Sequence, residues 1–228
     1  MRFYTNVQMV GDQILIRGYE DGKRFSNRDV YKPTMFVSSK HETKYKTLTG
    51  DYVEPVKPGT IKETREFISK YDGVDGFKLY GFERFIYQFI SDNYPEDQIE
   101  FDISKIKLVT IDIETKSENG FPDVESASEE ILLVTIQDYT TKEIITWGTK
   151  SFNNTHDNVD YRLCNDEHHL LNSFIQWWIE NTPDVVTGWN CEFFDIPYIA
   201  GRLNRVLGAK LMKRLSPWGL VTQSDIVV

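Results

Sequence analysis

The nine residues from Lys107 to Thr115 read KLVTIDIET, and they constrain the fold more than any other part of the chain. Their apolar side chains favour a β-strand, yet Asp112 and Glu114 lie two positions apart within it. Because side chains alternate along a strand, both acids point to the same face. Two like charges held that close in a partly buried place are costly unless a cation or a proton intervenes. The alternative is that the strand is ending and both acids simply face water.

A second group of polar residues follows the strand-like DVVTG. The segment from Gly188 to Tyr198, GWNCEFFDIPY, leads into an amphipathic helix, and Pro197 suits the first turn of that helix. Asp195 therefore lies at or near a helix N-terminus, where free backbone N–H groups and the helix dipole favour its ionised form. A simple helix cap is the alternative, and a cap can also be a metal ligand.

The N-terminal part of the chain predicts an α+β domain over residues 1–104. Strand-like FYTNVQM and QILIRGY flank a break at Val10-Gly11-Asp12, and Asp21-Gly22 indicates a hairpin turn before a third strand. This pattern predicts a small antiparallel sheet. The segment from Thr60 to Glu63 has the Thr-x-x-Glu form of a capping box before the helix IKETREFISKY, and ERFIYQFISDNY predicts a second helix.

Residues 105–228 predict a second domain of the α/β class. The order is a strand KLVTIDIE, then ILLVTIQDY, EIITWG, a helix from about Asp166, the strand DVVTGW and another helix. Such an order favours a mixed sheet flanked by helices. The apolar residues of the helix from about Asp166 fall on one broad face, which indicates core packing; they are Leu170, Leu171, Phe174, Ile175, Trp177 and Trp178.

The charge of the chain limits how it can bind nucleic acid. A formal net charge of −9 argues against binding by bulk electrostatics, because phosphate contacts rely on Lys and Arg. It does not exclude an enzyme that holds divalent cations over a phosphodiester, since such a site needs carboxylates. No apolar run approaches the roughly 20 residues of a membrane span, and the N-terminus lacks the apolar core of a secretory signal. We therefore expect a cytoplasmic location and no membrane partner.

Two further features could contact a nucleic acid strand. The helix after Asp195 carries Arg202 and Arg205; if its apolar face is buried, Arg205 points away from the core and Arg202 flanks it, so either could contact a phosphate. A solvated helix face is the alternative for each. Phe121 is the only aromatic residue of an acidic loop, residues 117–130, where it could stack on an unpaired terminal base or anchor the loop.

Taken together, the Asp-x-Glu strand and the run Asn190-x3-Phe194-Asp195 at a helix start resemble the DEDD exonucleases, and most closely the family B DNA polymerases. In that family the first exonuclease motif is Asp-x-Glu and the second is Asn-x2–3-Phe/Tyr-Asp. The stretches TIDIET, Gly120-Phe121-Pro122, TGWN…FDIPYI and MKRLSP are similar to those of polymerases from T-even-like tailed bacteriophages. The resemblance spans nearly the whole chain and is least distinctive in the first hundred residues.

The resemblance implies a ribonuclease H-like 3′→5′ proofreading exonuclease that uses two Mg²⁺ or Mn²⁺ ions. Asp112 would bridge both metals, Glu114 would bind the metal on the nucleophile side, and Asp195 would hold the other largely through water. Asn190 and Phe194 would contact the substrate strand. The implied partners are the single-stranded 3′ end of DNA, RNA through the N-terminal domain, and replication proteins in the full-length enzyme. The implied location is the cytoplasm of an infected bacterial host.

One departure from the family pattern concerns the third motif, Tyr-x3-Asp. The only acid after Asp195 is Asp225, which has no tyrosine four residues before it. We therefore expect a chain truncated before that motif, without the polymerase domains, which holds at most one metal weakly and is a weak or inactive enzyme. Two other functions remain open: a non-catalytic nucleic-acid-binding module, and a split polymerase subunit completed by another polypeptide.

Overall fold

The computed structural model describes residues 2–95, 99–118 and 120–222. The chain divides into two compact units, Met1–Asp102 and Ile103–Val228. Across the residues described, no helix combines the length and the apolar character needed to cross a membrane.

The first unit begins with an antiparallel sheet of three strands in sequence order. Gly11 has a φ of 60° in the first turn, and Asp21 and Gly22 have φ values of 49° and 76° in the second. Positive φ at both central residues suits a two-residue hairpin turn, which confirms the predicted turn. The strands are β1 (Arg2–Val10), β2 (Gln13–Glu20) and β3 (Lys23–Val30).

A second sheet in this unit has the order β5-β6-β4-β7, and all its pairs are antiparallel. The sequence did not predict it, because strands of two to five residues are too short to show an alternating pattern. Pro55 within one of them also argues against a strand. The strands are β4 (Met35–Ser38), β5 (Tyr45–Lys46), β6 (Tyr52–Val56) and β7 (Leu79–Tyr80).

Two helices complete the first unit, α1 (Ile61–Tyr71) and α2 (Phe85–Asn93), as predicted. The capping box is formed: Glu63 N donates to Thr60 Oγ1 at 3.4 Å, and Thr60 N donates to the Glu63 carboxylate at 2.7 Å. Apolar residues from the strands and both helices share one core; its buried members are Ile14, Ile16, Met35, Ile61, Phe85, Phe89 and Tyr94.

The second unit contains a mixed five-stranded sheet with the order β11-β10-β9-β8-β12. The pairs β8–β9 and β9–β10 are antiparallel, whereas β10–β11 and β8–β12 are parallel. The polar edge strand β11 was not predicted. The strands are β8 (Leu108–Thr115), β9 (Ile131–Asp138), β10 (Ile144–Gly148), β11 (Val159–Leu163) and β12 (Val185–Thr187).

Helices α3 (Glu167–Asn181) and α4 (Asp195–Leu207) pack with the sheet in one core. The α3 helix begins where the sequence predicted, because the Asp166 side chain caps it by accepting from His169 N at 2.8 Å. A short helix α5 (Ala209–Met212) and a 3₁₀ turn, Lys213–Leu215, follow α4. The unit is therefore a mixed α/β fold with helices on the core face of its sheet.

Candidate active site

The two acids of β8 lie on the face of the strand opposite the core. Val109, Ile111 and Ile113 are buried, whereas Asp112 and Glu114 between and beside them are exposed. The strand continues through Thr115, so it has not ended at either acid. In the part of the chain that the structure describes, neither carboxylate makes a hydrogen bond or an ion pair. Both are therefore available to a ligand.

The edge of β8 next to these acids is open because β12 is short. Pairing between the two strands ends at Thr187, which lies opposite Thr110. At the next residue, Gly188, the backbone passes very close to β8. A Cβ atom on Gly188 would lie 2.5 Å from the carbonyl oxygen of Ile111. Only glycine permits this path. Among the described residues, the backbone of β8 beyond Thr110 therefore has no strand neighbour on that side.

Asp195 occupies this open edge. It is the first residue of α4, only 4% of it is exposed, and its Oδ1 accepts a hydrogen bond of 3.0 Å from the backbone N–H of Ile113. Phe194 is the residue at the cap position, and it makes no side-chain cap bond. Asp195 is therefore more than a simple cap, because its carboxylate accepts from the strand backbone between Asp112 and Glu114 as well as from its own N–H.

The three carboxylates interact electrostatically. Burial raises the pKa of Asp195 above its ordinary value, and the negative charges of Asp112 and Glu114 raise this pKa further. The N–H groups of Ile113 and of Asp195 itself oppose the rise by stabilising the charged form. A cation placed between the acids would relieve this repulsion.

The donor chemistry of the three carboxylates fits Mg²⁺ or Mn²⁺, because these ions prefer oxygen ligands. The geometry is not preassembled: within residues 2–95, 99–118 and 120–222, no group of three or more His, Cys, Asp or Glu side chains is placed to hold a metal ion. Asp225, the only acid that follows Asp195, lies outside the described residues.

Asn190 lies in the loop between β12 and α4, and its backbone forms the turn that precedes Asp195. Its φ is 56°, in the left-handed region that asparagine tolerates better than most residues. Its carbonyl oxygen accepts from Phe193 N at 3.1 Å and from Phe194 N at 3.0 Å, which closes the turn before α4. The residue is exposed.

An aromatic row runs from the acidic loop to α4. The ring centroids of Phe121 and Phe194 are 5.1 Å apart, and those of Phe194 and Tyr198 are 5.4 Å apart. Phe121 is exposed, whereas Tyr198 is buried and donates its hydroxyl to the carbonyl oxygen of Glu129 at 2.8 Å. Tyr198 was not predicted as a site residue, although its place three residues after Asp195 puts it in the same helix turn.

The predicted placement of Arg202 is wrong. Only 5% of Arg202 is exposed, and its guanidinium binds both carboxylate oxygens of Glu167 and the carbonyl oxygens of Ala127 and Ser128, at 2.9 and 3.0 Å. This side chain turns inward because α3 presents a nearly buried carboxylate to it. Arg202 is thus a structural residue. Arg205 is exposed, as predicted, and donates to the carbonyl oxygen of Ser126 at 2.6 Å.

Comparison with known proteins identifies the class. Residues 84–227 match the family described as "DNA polymerase family B, exonuclease domain", and because this match covers more than half of the chain, the chain belongs to that family. The resemblance drawn from the two motifs is confirmed.

Individual relatives agree with this assignment. The chain is 30% identical to the DNA-directed DNA polymerase of Enterobacteria phage T4 over 96% of its own length, and 27% identical to that of Escherichia phage RB69 over 94%. It spans 27% of the length of each. A DNA polymerase of Thermococcus litoralis is 30% identical over 47% of the chain and 6% of the relative. The chain is thus homologous to DNA-directed DNA polymerases over their exonuclease region.

Proposed function

We propose that this chain hydrolyses phosphodiester bonds at the 3′ end of single-stranded DNA, as the proofreading exonuclease portion of a replicative family B polymerase. Family membership supports the exonuclease class. The observation that carries the proposal is the bond between Ile113 N and Asp195 Oδ1, because it brings a third carboxylate to the strand segment between Asp112 and Glu114.

The three carboxylates would hold divalent cations, Mg²⁺ or Mn²⁺. When bound, such cations stabilise developing charge on phosphoryl oxygens and provide a nucleophilic water at neutral pH. The Ile113 N–H holds one oxygen of the Asp195 carboxylate in place. The backbone positions of α4 and β8 therefore set the direction of the second carboxylate oxygen. Asp112 and Glu114 remain free of other protein partners within the described residues and can coordinate on the exposed side of the sheet.

Four further residues would contact the DNA strand. Phe121 is exposed beside Phe194, and this pair offers a surface for an unpaired base to stack on. Asn190 would orient the strand from the loop before α4. Arg205 would contact a phosphate, since its side chain is exposed at the end of α4.

We also propose that the second unit has a ribonuclease H-like fold. The support is the order β11-β10-β9-β8-β12 together with its pattern of directions, in which β8 and β12 are parallel and β9 runs opposite to β8. In this arrangement the acids of β8 and the first turn of α4, the helix that follows β12, meet beside the open edge of β8, where the site of the proposed reaction lies.

We further propose that the chain by itself hydrolyses DNA slowly. Among the described residues, only the carboxylates of Asp112, Glu114 and Asp195 come together at this site, so each cation would have few protein ligands. A non-catalytic nucleic-acid-binding module is the second candidate, and the observation in its favour is the exposed Phe121 ring beside Phe194, which could stack on a base without any cation.

The experiment that separates these functions follows the release of nucleotides from the 3′ end of 5′-labelled single-stranded DNA with Mg²⁺ or Mn²⁺. Activity should disappear in Asp112→Ala and in excess EDTA. Glu180→Ala is the matched control, because Glu180 is an exposed acid on α3 with no site role. Equal activity in Asp112→Ala and the unmodified chain would refute the proposed enzyme, and DNA binding without any hydrolysis would favour the second candidate.

A further inference from the structure

An apolar pocket lies on the same sheet face as the two acids of β8. Its volume is about 460 Å³, which is within the usual range for small-ligand sites, and Glu114 forms part of its rim. In the sheet order, β9, β10 and β11 lie on the side of β8 opposite β12. The pocket is therefore on the far side of Glu114 from the edge where Asp195 binds. Its floor includes Leu133, Ile144, Thr146 and Val159.

The walls of this pocket are ordered by hydrogen bonds. The loop between β10 and β11 is tied to the sheet because Ile144 N donates to Asn158 O at 2.8 Å and Asn154 Nδ2 donates to Val159 O at 2.6 Å. The Tyr161 hydroxyl donates to the carbonyl oxygen of Lys150, which fixes the other end of the loop. The pocket is thus largely formed before any ligand enters.

Its lining combines aromatic rings with positive charge. The ring centroids of Phe152 and Tyr161 are 5.3 Å apart, and 55% of Phe152 is exposed. Lys150 and His156 also line the pocket and are exposed. In a chain with a net charge of −9, the Lys150 ammonium and the His156 ring N–H beside an apolar cavity favour a ligand that has a flat apolar part and an anionic part.

We propose that this pocket binds an unpaired base of the DNA strand whose 3′ end lies at Asp112 and Glu114, with Lys150 and His156 beside the adjoining phosphate. The inference rests on the proposed exonuclease function and adds a second contact region for its substrate. Strands in a sheet are about 4.8 Å apart, so β10 lies about 10 Å from β8. A strand of DNA that leaves the acids toward β10 passes over the pocket.

A nucleotide explains this lining better than an apolar peptide segment does. A peptide would use the apolar floor but would gain nothing from Lys150 and His156, whereas a nucleotide uses both the floor and the charge. Stacking on an aromatic side chain contributes about 1–3 kcal/mol per base. Any base can form this contact, because every base has an aromatic face. The pocket would therefore strengthen the binding of single strands without selecting a sequence.

The test measures the binding of single-stranded DNA in EDTA, with a phosphorothioate linkage at the 3′ end so that no hydrolysis occurs. Phe152→Ala should weaken binding by about fivefold or more, the equivalent of one lost stacking contact. Tyr139→Ala is the matched control, because Tyr139 is 56% exposed in the same unit and does not line the pocket. It should bind as the unmodified chain does.

Photo-crosslinking gives a second readout that does not depend on any variant. Oligonucleotides with 5-iodouracil at successive positions from the 3′ end should crosslink to residues within 149–161 from at least one position. Crosslinks that never map there, together with unchanged binding of Phe152→Ala, would overturn the pocket assignment. This result would leave the exonuclease proposal standing, because hydrolysis that depends on Asp112 is measured separately.

Discussion

The backbone N–H of Ile113 donates to the Asp195 carboxylate at 3.0 Å, and this bond joins residues 82 positions apart in the sequence. It is possible because β12 stops opposite Thr110 and leaves the edge of β8 open. The carboxylate thus takes the place of a neighbouring strand. Asp112 and Glu114 flank Ile113. The hydrogen bond that satisfies the Ile113 N–H therefore also places the Asp195 carboxylate beside these two acids.

Substitution of Asp195 should separate its structural role from its chemical role. Asp195→Asn keeps an oxygen acceptor for Ile113 N–H, so the fold should keep its stability while hydrolysis is lost. Asp195→Ala leaves that N–H unsatisfied and should lower the free energy of unfolding by about 1–3 kcal/mol. Denaturant unfolding and the nuclease assay check both. If the two variants are equally stable, the hydrogen bond does not support the fold.

The position of Gly188 should be intolerant of any side chain. In Gly188→Ala, the new Cβ would lie 2.5 Å from the Ile111 carbonyl oxygen, so the chain before Asp195 must shift. We expect a loss of about 1–3 kcal/mol of stability and a fall in hydrolysis. Glu180→Ala is the control, because Glu180 is an exposed residue of α3 that is not part of this loop. Normal hydrolysis by Gly188→Ala would contradict the close approach.

Local sequence signals predicted the elements that form mainly by local rules. The hairpin at Asp21-Gly22 depends on residues that accept positive φ, and α1 depends on the reciprocal bonds of Thr60 and Glu63. The apolar face of α3 was predicted for the same reason, since its 3.6-residue period is contained in the helix itself.

Other features depend on residues far apart in the sequence, and they were missed. The strands β4 to β7 are too short to carry a pattern, and they exist because they pair with one another. Arg202 was misplaced because its partner Glu167 lies 35 residues away on another helix. The motif predicted that Asp195 starts a helix near the acids of β8, but not that Ile113 N–H would hold it.

The two arginines of α4 should behave differently when replaced. Arg202→Ala removes the guanidinium from the nearly buried Glu167 carboxylate, which keeps only its hydrogen bond from the Ile131 N–H among the described contacts, and this should cost about 3–5 kcal/mol of stability. Arg202→Lys should also destabilise the fold, because lysine cannot donate two parallel bonds to a carboxylate. Thermal unfolding of the variants checks this. A fully stable Arg202→Ala would show that the ion pair contributes little.

Arg205→Ala should leave the fold intact and weaken the binding of single-stranded DNA. If Arg205 contacts one phosphate, the dependence of the logarithm of affinity on the logarithm of salt concentration should become shallower by about 0.7. Lys105→Ala is a control, because Lys105 is an exposed base in the same unit outside α4. An unchanged salt dependence in Arg205→Ala would remove this residue from the binding surface.

The repulsion among the acids predicts that Asp112→Asn acts in opposite directions with and without a divalent cation. In EDTA, loss of one negative charge near Asp195 and Glu114 should raise the unfolding temperature, by on the order of 2 °C. With Mn²⁺ in excess, only the unmodified chain should gain stability from binding, so the order should reverse. The measurement is thermal unfolding of both chains in both conditions, with Glu180→Gln as the control for removal of an exposed acid. If Mn²⁺ stabilises both chains equally, the cation binds elsewhere, and the three carboxylates are not its site.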